Sequence, residues 1–522
     1  MLLIQDIRLS LDEEEKDLRR KVSKIHRIPE KDILSLRVRR RSLDARKGVS
    51  FVYAVTAEVK NEKKYLKRDH ISLYEEKDLF PKKIVTDKRP VIIGYGPSGL
   101  FAAVRFIDAG VRPVIIERGK RIRDREKDVE AFFEKGIFDP KSNVVYGEGG
   151  AGTFSDAKLT TRINDPLTDY ILDTFIRHGA DPEIAIEAHS HIGTDAVRRV
   201  IESITDDLIR QGAEFHFEET VRDFLIEDGV LKAIVTDKDT YYSDHFLLGI
   251  GHSASDTFET LYGKGVSVVP KDCAVGFRVE HPQSLLDHNQ YQGIVSEKLG
   301  ASEYFLRYHD EKAVYSFCMC PGGFVVPSNA EEETIVTNGM SYQKRDNHLG
   351  NSAILIQVRK EEYGSHPLSG FDYLRQYEKK AYEISGSYKA PAMNIRDFMN
   401  GELHPLLFPS SYPLGTVLYD LNGLFKKEDA EIFKRAFLHF DARIPGFIDQ
   451  GIMVAPETKS SSPIRLPRDE RYESENTKGL YPMGEGPGHG GGIMSCSLDG
   501  IRVADAIIDA LDEFTETSDS SL

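Results

Sequence analysis

The sequence has few cysteines, no long apolar run and no sign of a secretory leader. Its cysteines are Cys273, Cys318, Cys320 and Cys496. They are too few and too scattered for a disulfide scaffold. Since no stretch of about eighteen apolar residues is present, no membrane span is expected. Residues 1–6 lack a basic region followed by a long apolar one, so secretion is not expected either. These absences favour a reducing, cytoplasmic setting.

Charge is unevenly distributed along the 522 residues. Residues 1–90 hold 24 Lys and Arg against 16 Asp and Glu, a balance of +8; because the whole chain carries −15, the remainder carries −23. A basic segment could contact nucleic acid or an acidic partner. No interleaved aromatic residues support base stacking, however. We therefore expect this segment to dock on the acidic remainder of its own chain, and nucleic acid is not a favoured partner.

Residues 89–119 carry the strongest local signal. An apolar strand, a glycine turn, an amphipathic helix and a second apolar strand follow one another, and the second strand ends at Glu117. The turn fits G-x-G-x-x-G, in which the first glycine permits the turn, the second admits a pyrophosphate and the third lets helix and strand pack. The helix N-terminus offers N–H groups to the phosphates, and the acid accepts hydrogen bonds from a ribose. The predicted dinucleotide contacts are Gly94, Gly96, Pro97, Ser98, Gly99, Glu117 and Arg118.

A second glycine cluster decides between NAD and FAD. Gly484-Glu485 follows a strand-like segment, and Gly491, Gly492 and Ile493 open a C-terminal helix. A simple NAD dehydrogenase does not need such a cluster, whereas a helix N-terminus beneath a flavin stabilises negative charge on the reduced ring. A glycine-rich surface loop is the alternative. We predict FAD as the cofactor.

Several blocks of the sequence resemble one family. They are residues 40–47, 94–99, 147–158, 317–323, 337–341, 460–465 and 481–500. Together they resemble bacterial FAD-dependent dehydrogenases of uncharacterised substrate, within the glutathione-reductase-like superfamily. The resemblance implies bound FAD and redox chemistry, and it implies that Glu485 meets the ribityl chain or pyrophosphate and Val221 the adenine.

Two further loops are expected to reach the cofactor. The first would thread past the flavin, and the second ends a returning strand. Their predicted contacts are Gly149, Gly150, Gly152, Thr153, Asp156, Lys158, Gly251 and His252. Lys158 near flavin N1 or O2 would stabilise the reduced anion, although a solvated lysine is an equal alternative.

His489 is the candidate general acid or base. Imidazole titrates near neutral pH, and the flanking glycines leave room for substrate. A histidine that only hydrogen-bonds its loop is an equal alternative. Arg465 could hold an anionic substrate or brace the loop. Cys318 and Cys320 lack the C-x-x-C spacing of redox pairs and the four ligands of zinc, so we interpret them as small buried residues and expect no metal.

These observations predict an α/β protein: a bisected Rossmann-like FAD-binding domain, an inserted α+β substrate domain and a small N-terminal α+β domain. The predicted ranges are 1–85 for the N-terminal domain, 86–265 and 441–522 for the FAD-binding domain, and 266–440 for the insertion. Within the first two, strands are expected at 2–10, 33–41, 49–59, 213–218, 220–226, 230–237 and 241–249, and helices at 12–26 and 194–211.

The expected function is that of an FAD-dependent oxidoreductase. Hydride would pass through flavin N5 to or from an unidentified small organic substrate, with His489 as the proton partner. Because only one dinucleotide fingerprint is visible, NAD(P)H as a reductant would bind transiently in the substrate cavity. The alternative is a flavoprotein that modifies or binds a macromolecule such as RNA through its basic N-terminal unit. The sequence leaves the oligomeric state open.

Overall fold

The structure, a computed structural model, describes residues 1–46, 48–161 and 163–519, with side chains described through residue 513. The strands of the first half are β1 (Leu2–Ser10), β2 (Ile33–Asp44), β3 (Ser50–Val59), β4 (Ile71–Leu73), β5 (Val91–Ile93), β6 (Val114–Ile116), β7 (Glu214–His216), β8 (Val221–Glu227), β9 (Val230–Thr236), β10 (Thr240–Tyr242) and β11 (Phe246–Leu248).

The strands of the second half are β12 (Val269–Pro270), β13 (Cys273–Pro282), β14 (Arg307–His309), β15 (Ala313–Cys320), β16 (Phe324–Pro327), β17 (Thr337–Met340), β18 (Leu349–Val358), β19 (Ala390–Asn394), β20 (Thr416–Leu418), β21 (Ile452–Glu457), β22 (Ile464–Arg465) and β23 (Leu480–Pro482). The α-helices are α1 (Leu18–His26), α2 (Pro97–Ala109), α3 (Ile122–Lys135), α4 (Leu167–Arg177), α5 (Thr194–Arg210), α6 (Ser255–Gly263), α7 (Gln283–Gln290), α8 (Ser369–Ser385), α9 (Ile395–Asn400), α10 (Lys427–Asp441) and α11 (Ile493–Asp519).

The N-terminal sheet is antiparallel, in the order β2-β3-β1-β4. The buried positions of β1 follow a spacing of two except between Ile4 and Ile7, where the register shifts at a β-bulge and Asp6 has a φ of +57°. The helix predicted over 12–26 begins only at Leu18, after the 3-10 turn Glu15–Asp17. Strands and a helix are thus present in this segment, and its assignment as a separate α+β domain stays a prediction.

A five-stranded parallel sheet has the order β23-β11-β5-β6-β7. Its short strands are apolar throughout because both faces are covered. Ile92 and Leu247 face the core formed with α2, α5 and α11, whereas Ile93 and Leu248 face the core formed with β8, β9 and α6. The expected strand 241–249 is two strands, β10 and β11, because residues 243–245 turn the chain between two different sheets. The prediction of an α/β fold with a parallel sheet is confirmed.

The third large sheet has seven strands in the order β14-β15-β18-β13-β21-β19-β20. An aromatic cluster around Phe277, with Phe433 and Phe437 of α10, packs beneath it. Its strand β21 lies beyond residue 440, where sequence analysis placed the end of the inserted domain. The predicted domain boundary therefore falls within the residues that form this sheet. The buried run from Ile452 onward has no polar alternation, and periodicity alone does not assign such a strand to one sheet or another. The domain ranges stay predictions.

Across the described residues, no helix combines the length and apolar character needed to cross a bilayer.

Candidate cofactor and substrate cavity

A large cavity opens where the parallel strands end. It comprises about 1510 Å³ of space, part of it open to solvent, and extends from the parallel sheet to β15, β17 and β21 of the seven-stranded sheet. In open parallel sheets, ligands bind beyond the carboxyl ends of the strands. Here β5, β6, β11 and β23 are followed directly by residues that sequence analysis assigned to the cofactor or to the turns beside them.

Most of the predicted cofactor contacts line this cavity. Those that line it are Gly94, Gly96, Pro97, Ser98, Glu117, Arg118, Gly150, Gly152, Asp156, Lys158, Val221, Gly251, His252, Glu485, Gly492 and Ile493. Gly99, Gly149, Thr153, Gly484 and Gly491 are not among the lining residues but are adjacent to them in the chain. The structure therefore brings the predicted contacts together, while their individual roles stay predictions.

The glycine turn after β5 has the steric requirements expected of it. Gly94 has a φ of +92°, and a Cβ there would lie 2.5 Å from the carbonyl oxygen of Gly249. A Cβ at Gly99 would lie 2.1 Å from the carbonyl oxygen of Gly94. Gly96 differs, because the nearest atom to a Cβ there, the Cα of Gly150, is 3.8 Å away. Protein packing thus requires glycine at positions 94 and 99, whereas the protein itself leaves room for a Cβ at position 96.

Glu117 joins two loops of the cavity. Its buried carboxylate accepts hydrogen bonds from the backbone N–H groups of Tyr95 (2.8 Å), Gly119 (2.9 Å) and Gly147 (3.0 Å). The acid therefore fixes the glycine turn to the loop that begins at Gly147, in addition to lining the cavity. Three bonds leave limited acceptor capacity for the predicted ribose contact.

Arg125 of α3 also fixes the segment around Gly147, and sequence analysis did not single out this residue. Its guanidinium is fully buried and donates to the carbonyl oxygens of Asn143, Val144, Glu148 and Gly150 at 2.8–2.9 Å. Burial lowers the pKa of Arg125 to about 9. In the sequence it is one basic residue of a charged helix, and nothing in the pattern marks it.

The C-terminal glycine cluster is hydrogen-bonded to α11, the helix that follows it. The backbone N–H of Gly484 donates to Asp499 (2.8 Å), and Asp499 also pairs with Arg468. Beside this turn, Nδ1 of His252 lies 3.4 Å from an Oε atom of Glu485. Nε2 of His252 is buried without a hydrogen-bond partner in the described structure. This ring therefore presents an unused donor or acceptor at a cavity-lining residue.

Two helix N-termini meet at the cavity. α2 begins at Pro97, and α11 begins at Ile493 after Gly492, whose φ is +94°. The first N–H groups of a helix have no partner within it and carry partial positive charge. Both ends are therefore suited to stabilise negative charge on a ligand in the cavity.

The far end of the cavity is formed by the seven-stranded sheet and its neighbours, and sequence analysis assigned none of its residues to the cofactor. Its lining side chains are Phe317, Cys318, Asn338, Glu457, Lys459 and Ser460. Behind them the fully buried Arg278 pairs with Glu457, donates to Asn338 Oδ1 (2.8 Å) and donates to the carbonyl oxygen of Cys318 (2.8 Å). The resemblance blocks 317–323, 337–341 and 460–465 contain several of these residues, but no pattern in the sequence assigned them to one cavity, because they come from separate parts of the chain.

Lys158 belongs to a charge cluster at one side of the cavity. Its Nζ lies 3.0 Å from Oε1 of Glu303, which also pairs with Arg345 at 3.0 Å. Arg345 in turn holds the buried Asp156. Lys158 is therefore neither fully solvated nor unpaired, and its position is fixed.

His489 and Arg465 are placed in the loop and not at the cavity surface. Neither is among the described residues that line the cavity. Nε2 of His489 lies 2.8 Å from the carbonyl oxygen of Leu466, and burial, together with the charge of Arg468, lowers its pKa. Arg465 donates to the carbonyl oxygen of Gly488. These contacts favour the loop-bracing alternative for both residues, and a catalytic role for His489 stays a prediction.

The cavity has polar atoms that a bound cofactor such as FAD could engage. Buried side-chain atoms without partners occur at three of its lining residues, His252 Nε2, Ser253 Oγ and Ser460 Oγ. Buried polar groups without partners are uncommon in proteins. Together with the two helix N-termini, these atoms offer hydrogen-bonding sites to a ligand in the cavity.

Comparisons with known proteins agree with this arrangement. A family model described as "FAD-dependent protein, C-terminal domain-like" matches residues 272–460, and one described as "Domain of unknown function (DUF8436)" matches residues 1–60. A relative from Clostridium beijerinckii, named "Uncharacterized protein", is 40% identical over 531 aligned positions, which cover 98% of this chain and 99% of the relative.

Solved structures with low similarity also match. CtdE in complex with FAD is 10% identical with a TM-score of 0.32, covering 83% of this chain and 93% of CtdE. The flavin-dependent brominase Bmp2 is 13% identical with a TM-score of 0.36, covering 81% of this chain and 79% of Bmp2. The halogenase PltM is 10% identical with a TM-score of 0.35, covering 84% of this chain and 71% of PltM. At these TM-scores the likenesses carry no argument.

Proposed function

Because the chain belongs to the same family as the Clostridium beijerinckii protein and FAD is its cofactor, we propose that the chain is an oxidoreductase acting on a small organic substrate. Its residues 272–460 belong to the FAD-dependent protein C-terminal domain-like family. The observation that supports the proposal is the single cavity shared by the glycine turn after β5, the N-terminus of α11 and the polar face of the seven-stranded sheet. A cofactor bound at one end would adjoin a substrate bound at the other.

The cofactor would be held mainly by backbone groups. The N–H groups of Ser98 and Gly99, in the first turn of α2, would bind the pyrophosphate beside the open space at Gly96. Val221 and Glu117 would lie at the adenosine end, and Nε2 of His252 would supply a side-chain bond. Glu485 orients that ring through Nδ1.

The flavin end would be defined by α11. When bound, FAD supplies two-electron transfer to or from an organic substrate. The N-terminus of α11, opened by Gly492 and Ile493, places partial positive charge where the reduced ring would be negative. Lys158, held by Glu303, adds a fixed positive charge at the side of the cavity.

The substrate would bind against Asn338, Lys459 and Ser460. Phe317 gives this end an apolar surface, and Lys459 gives it a cation whose Nζ lies 3.3 Å from Glu378. Cations and amides at the end of a partly apolar cavity orient a small polar or anionic substrate. A substrate of this class is therefore expected to lose affinity when Lys459 is changed to Met.

The test is rapid mixing of the FAD-loaded protein with candidate reductants without oxygen. Only one dinucleotide fingerprint is present, so NADH or NADPH would enter the substrate end transiently. Bleaching of the flavin absorbance by either supports the proposal and identifies the donor. If neither nucleotide bleaches the flavin, the same measurement with a panel of organic acids, alcohols and amines tests whether one of them is the electron donor. A flavin that none of these compounds reduces, and that transfers electrons to no organic acceptor, would refute the proposal.

The alternative of a macromolecular substrate bound by the basic N-terminal unit has less support. Arg41 of β2 pairs with Glu183 (2.7 Å) and Glu187 (2.8 Å), and Arg39 pairs with Asp169 (3.2 Å). These ion pairs dock the basic strand on acidic residues of the same chain, as sequence analysis favoured. Arginines engaged in this way are less available to phosphates.

A further inference from the structure

Cys318 and Cys320 occupy a position that their spacing in the sequence did not reveal. Cys318 lines the cavity together with Phe317, while Cys320 is buried just behind it in β15. Both are free thiols. Only Met319 separates the two cysteines, and the sulfur of Cys320 lies 3.3 Å from the carbonyl oxygen of Cys318.

The backbone at Cys318 is unusual. Its φ is +44°, a left-handed conformation that non-glycine residues rarely adopt, and β15 shifts register against β18 between Phe317 and Cys320. Bulges of this kind redirect a side chain and often occur beside active sites. Left-handed strain at a non-glycine residue persists where the surrounding structure holds it in place.

Arg278 fixes the backbone of Cys318 in this conformation. Its guanidinium donates to the carbonyl oxygen of Cys318 and is itself fixed by the carboxylate of Glu457. The Cys320 thiol also donates to the Cys318 carbonyl oxygen, at 3.3 Å. The neighbouring Cys320 thiol and the charge of Arg278 lower the pKa of the Cys318 thiol against the opposing effect of burial, and the same interaction between the two thiols raises the pKa of Cys320. One thiol is thus favoured as the thiolate and the other as its proton-bearing partner.

We propose that Cys318 and Cys320 form a redox-active dithiol that exchanges an electron pair with FAD in this cavity. The sulfur–sulfur bond forms as both S–H bonds break, and two electrons and two protons pass from the dithiol to oxidised FAD. In the reverse direction, the disulfide accepts two electrons and two protons. The proposal rests on the proposed function for the location of FAD, and it adds a second two-electron centre at the substrate end of the cavity.

The test is a reductive titration of the air-oxidised, FAD-loaded protein with dithionite under anaerobic conditions. The wild-type chain should consume one electron pair for the flavin and a second pair for the disulfide. Cys318→Ala and Cys320→Ala should each consume only the pair that bleaches the flavin. Cys273→Ala is the matched control, because Cys273 is a buried thiol of the same sheet that does not line the cavity, and it should behave as the wild type.

A second readout does not depend on the flavin. Alkylation of the denatured, air-oxidised chain followed by mass spectrometry should leave Cys318 and Cys320 unlabelled and joined, and prior reduction should label all four cysteines. Consumption of a single electron pair by the wild type, with all cysteines labelled before reduction, would overturn the proposal. Dithionite replaces the natural substrate, so a failed search for that substrate would leave this result unaffected. A protein that binds no FAD would be recognised at once by the absence of flavin absorbance.

Discussion

Gly500 of α11 lies directly against Ser98 of α2. A Cβ at Gly500 would be 2.1 Å from the carbonyl oxygen of Ser98, too close for any side chain. The two residues are about four hundred positions apart in the chain. Their contact brings the glycine turn after β5 and the glycine cluster before α11 to the same cavity, and thus joins both ends of the cofactor site.

Gly500→Ala should therefore destabilise the protein and weaken FAD binding together. Overpacking of a tight contact costs about 1–3 kcal/mol. The melting temperatures of the FAD-free and FAD-loaded forms measure both effects. Gly263→Ala in α6 is the control, because nothing lies within 4 Å of a Cβ there; if the two variants melt alike, the helix contact is not as tight as described.

Gly96→Ala should separate folding from cofactor binding. Since the nearest protein atom to the added Cβ is 3.8 Å away, the FAD-free variant should melt close to the wild-type temperature. The methyl group would occupy the space left for the pyrophosphate, so FAD affinity should fall at least about tenfold, equivalent to about 1.4 kcal/mol. Fluorescence titration with FAD measures this loss. Unchanged affinity would place the pyrophosphate elsewhere.

His489→Asn should have little effect on catalysis. The ring is turned to the carbonyl oxygen of Leu466 and does not line the cavity, so flavin content and the rate of flavin reduction should stay within about threefold of wild type. Loss of the hydrogen bond should cost about 1 kcal/mol of stability. A large fall in the rate of reduction, with FAD still bound, would restore His489 as the proton partner predicted from sequence.

His281 should make the protein sensitive to acid. Its ring is fully buried in β13, with Nε2 2.8 Å from the carbonyl oxygen of Phe447, and burial lowers its pKa to about 4. Because the unfolded chain takes up this proton near pH 6.5 and the folded chain only near pH 4, stability falls as pH drops through that window. The loss should reach about 3 kcal/mol.

Urea unfolding at a series of pH values measures this dependence. His281→Gln, which keeps a hydrogen-bond donor for Phe447, should lose stability less steeply between those pH values than the wild type. Parallel curves for the two proteins would show that another group controls the acid response.

The cofactor half of the site could be predicted because its determinants are local. The turn at Gly94 and the acid at Glu117 lie within one strand–helix–strand segment, and their spacing specifies where the strands end. Even there, the sequence did not show that Glu117 is engaged with three backbone N–H groups. One of those bonds depends on a loop that returns thirty residues later, at Gly147.

The proposed substrate half could not be predicted because its residues are brought together only by tertiary pairing. Cys318, Asn338 and Glu457 stand on β15, β17 and β21, and Arg278 of β13 connects them. Apart from the C-x-C pair, no local pattern gave these residues a role, and β21 itself gives no periodic signal that assigns it to this sheet. His489 is a different case: its glycine-rich context suggested access to substrate, the structure places its ring against the carbonyl oxygen of Leu466, and its catalytic role stays a prediction.

The most direct test of the central claim is a titration of the purified, FAD-free chain with FAD, followed by gel filtration and absorbance. The account predicts that the flavin bands elute with the protein at about one FAD per chain, and that Gly96→Ala reduces this uptake while eluting as a folded protein. A wild-type protein that is folded, colourless and unable to retain added FAD would contradict it.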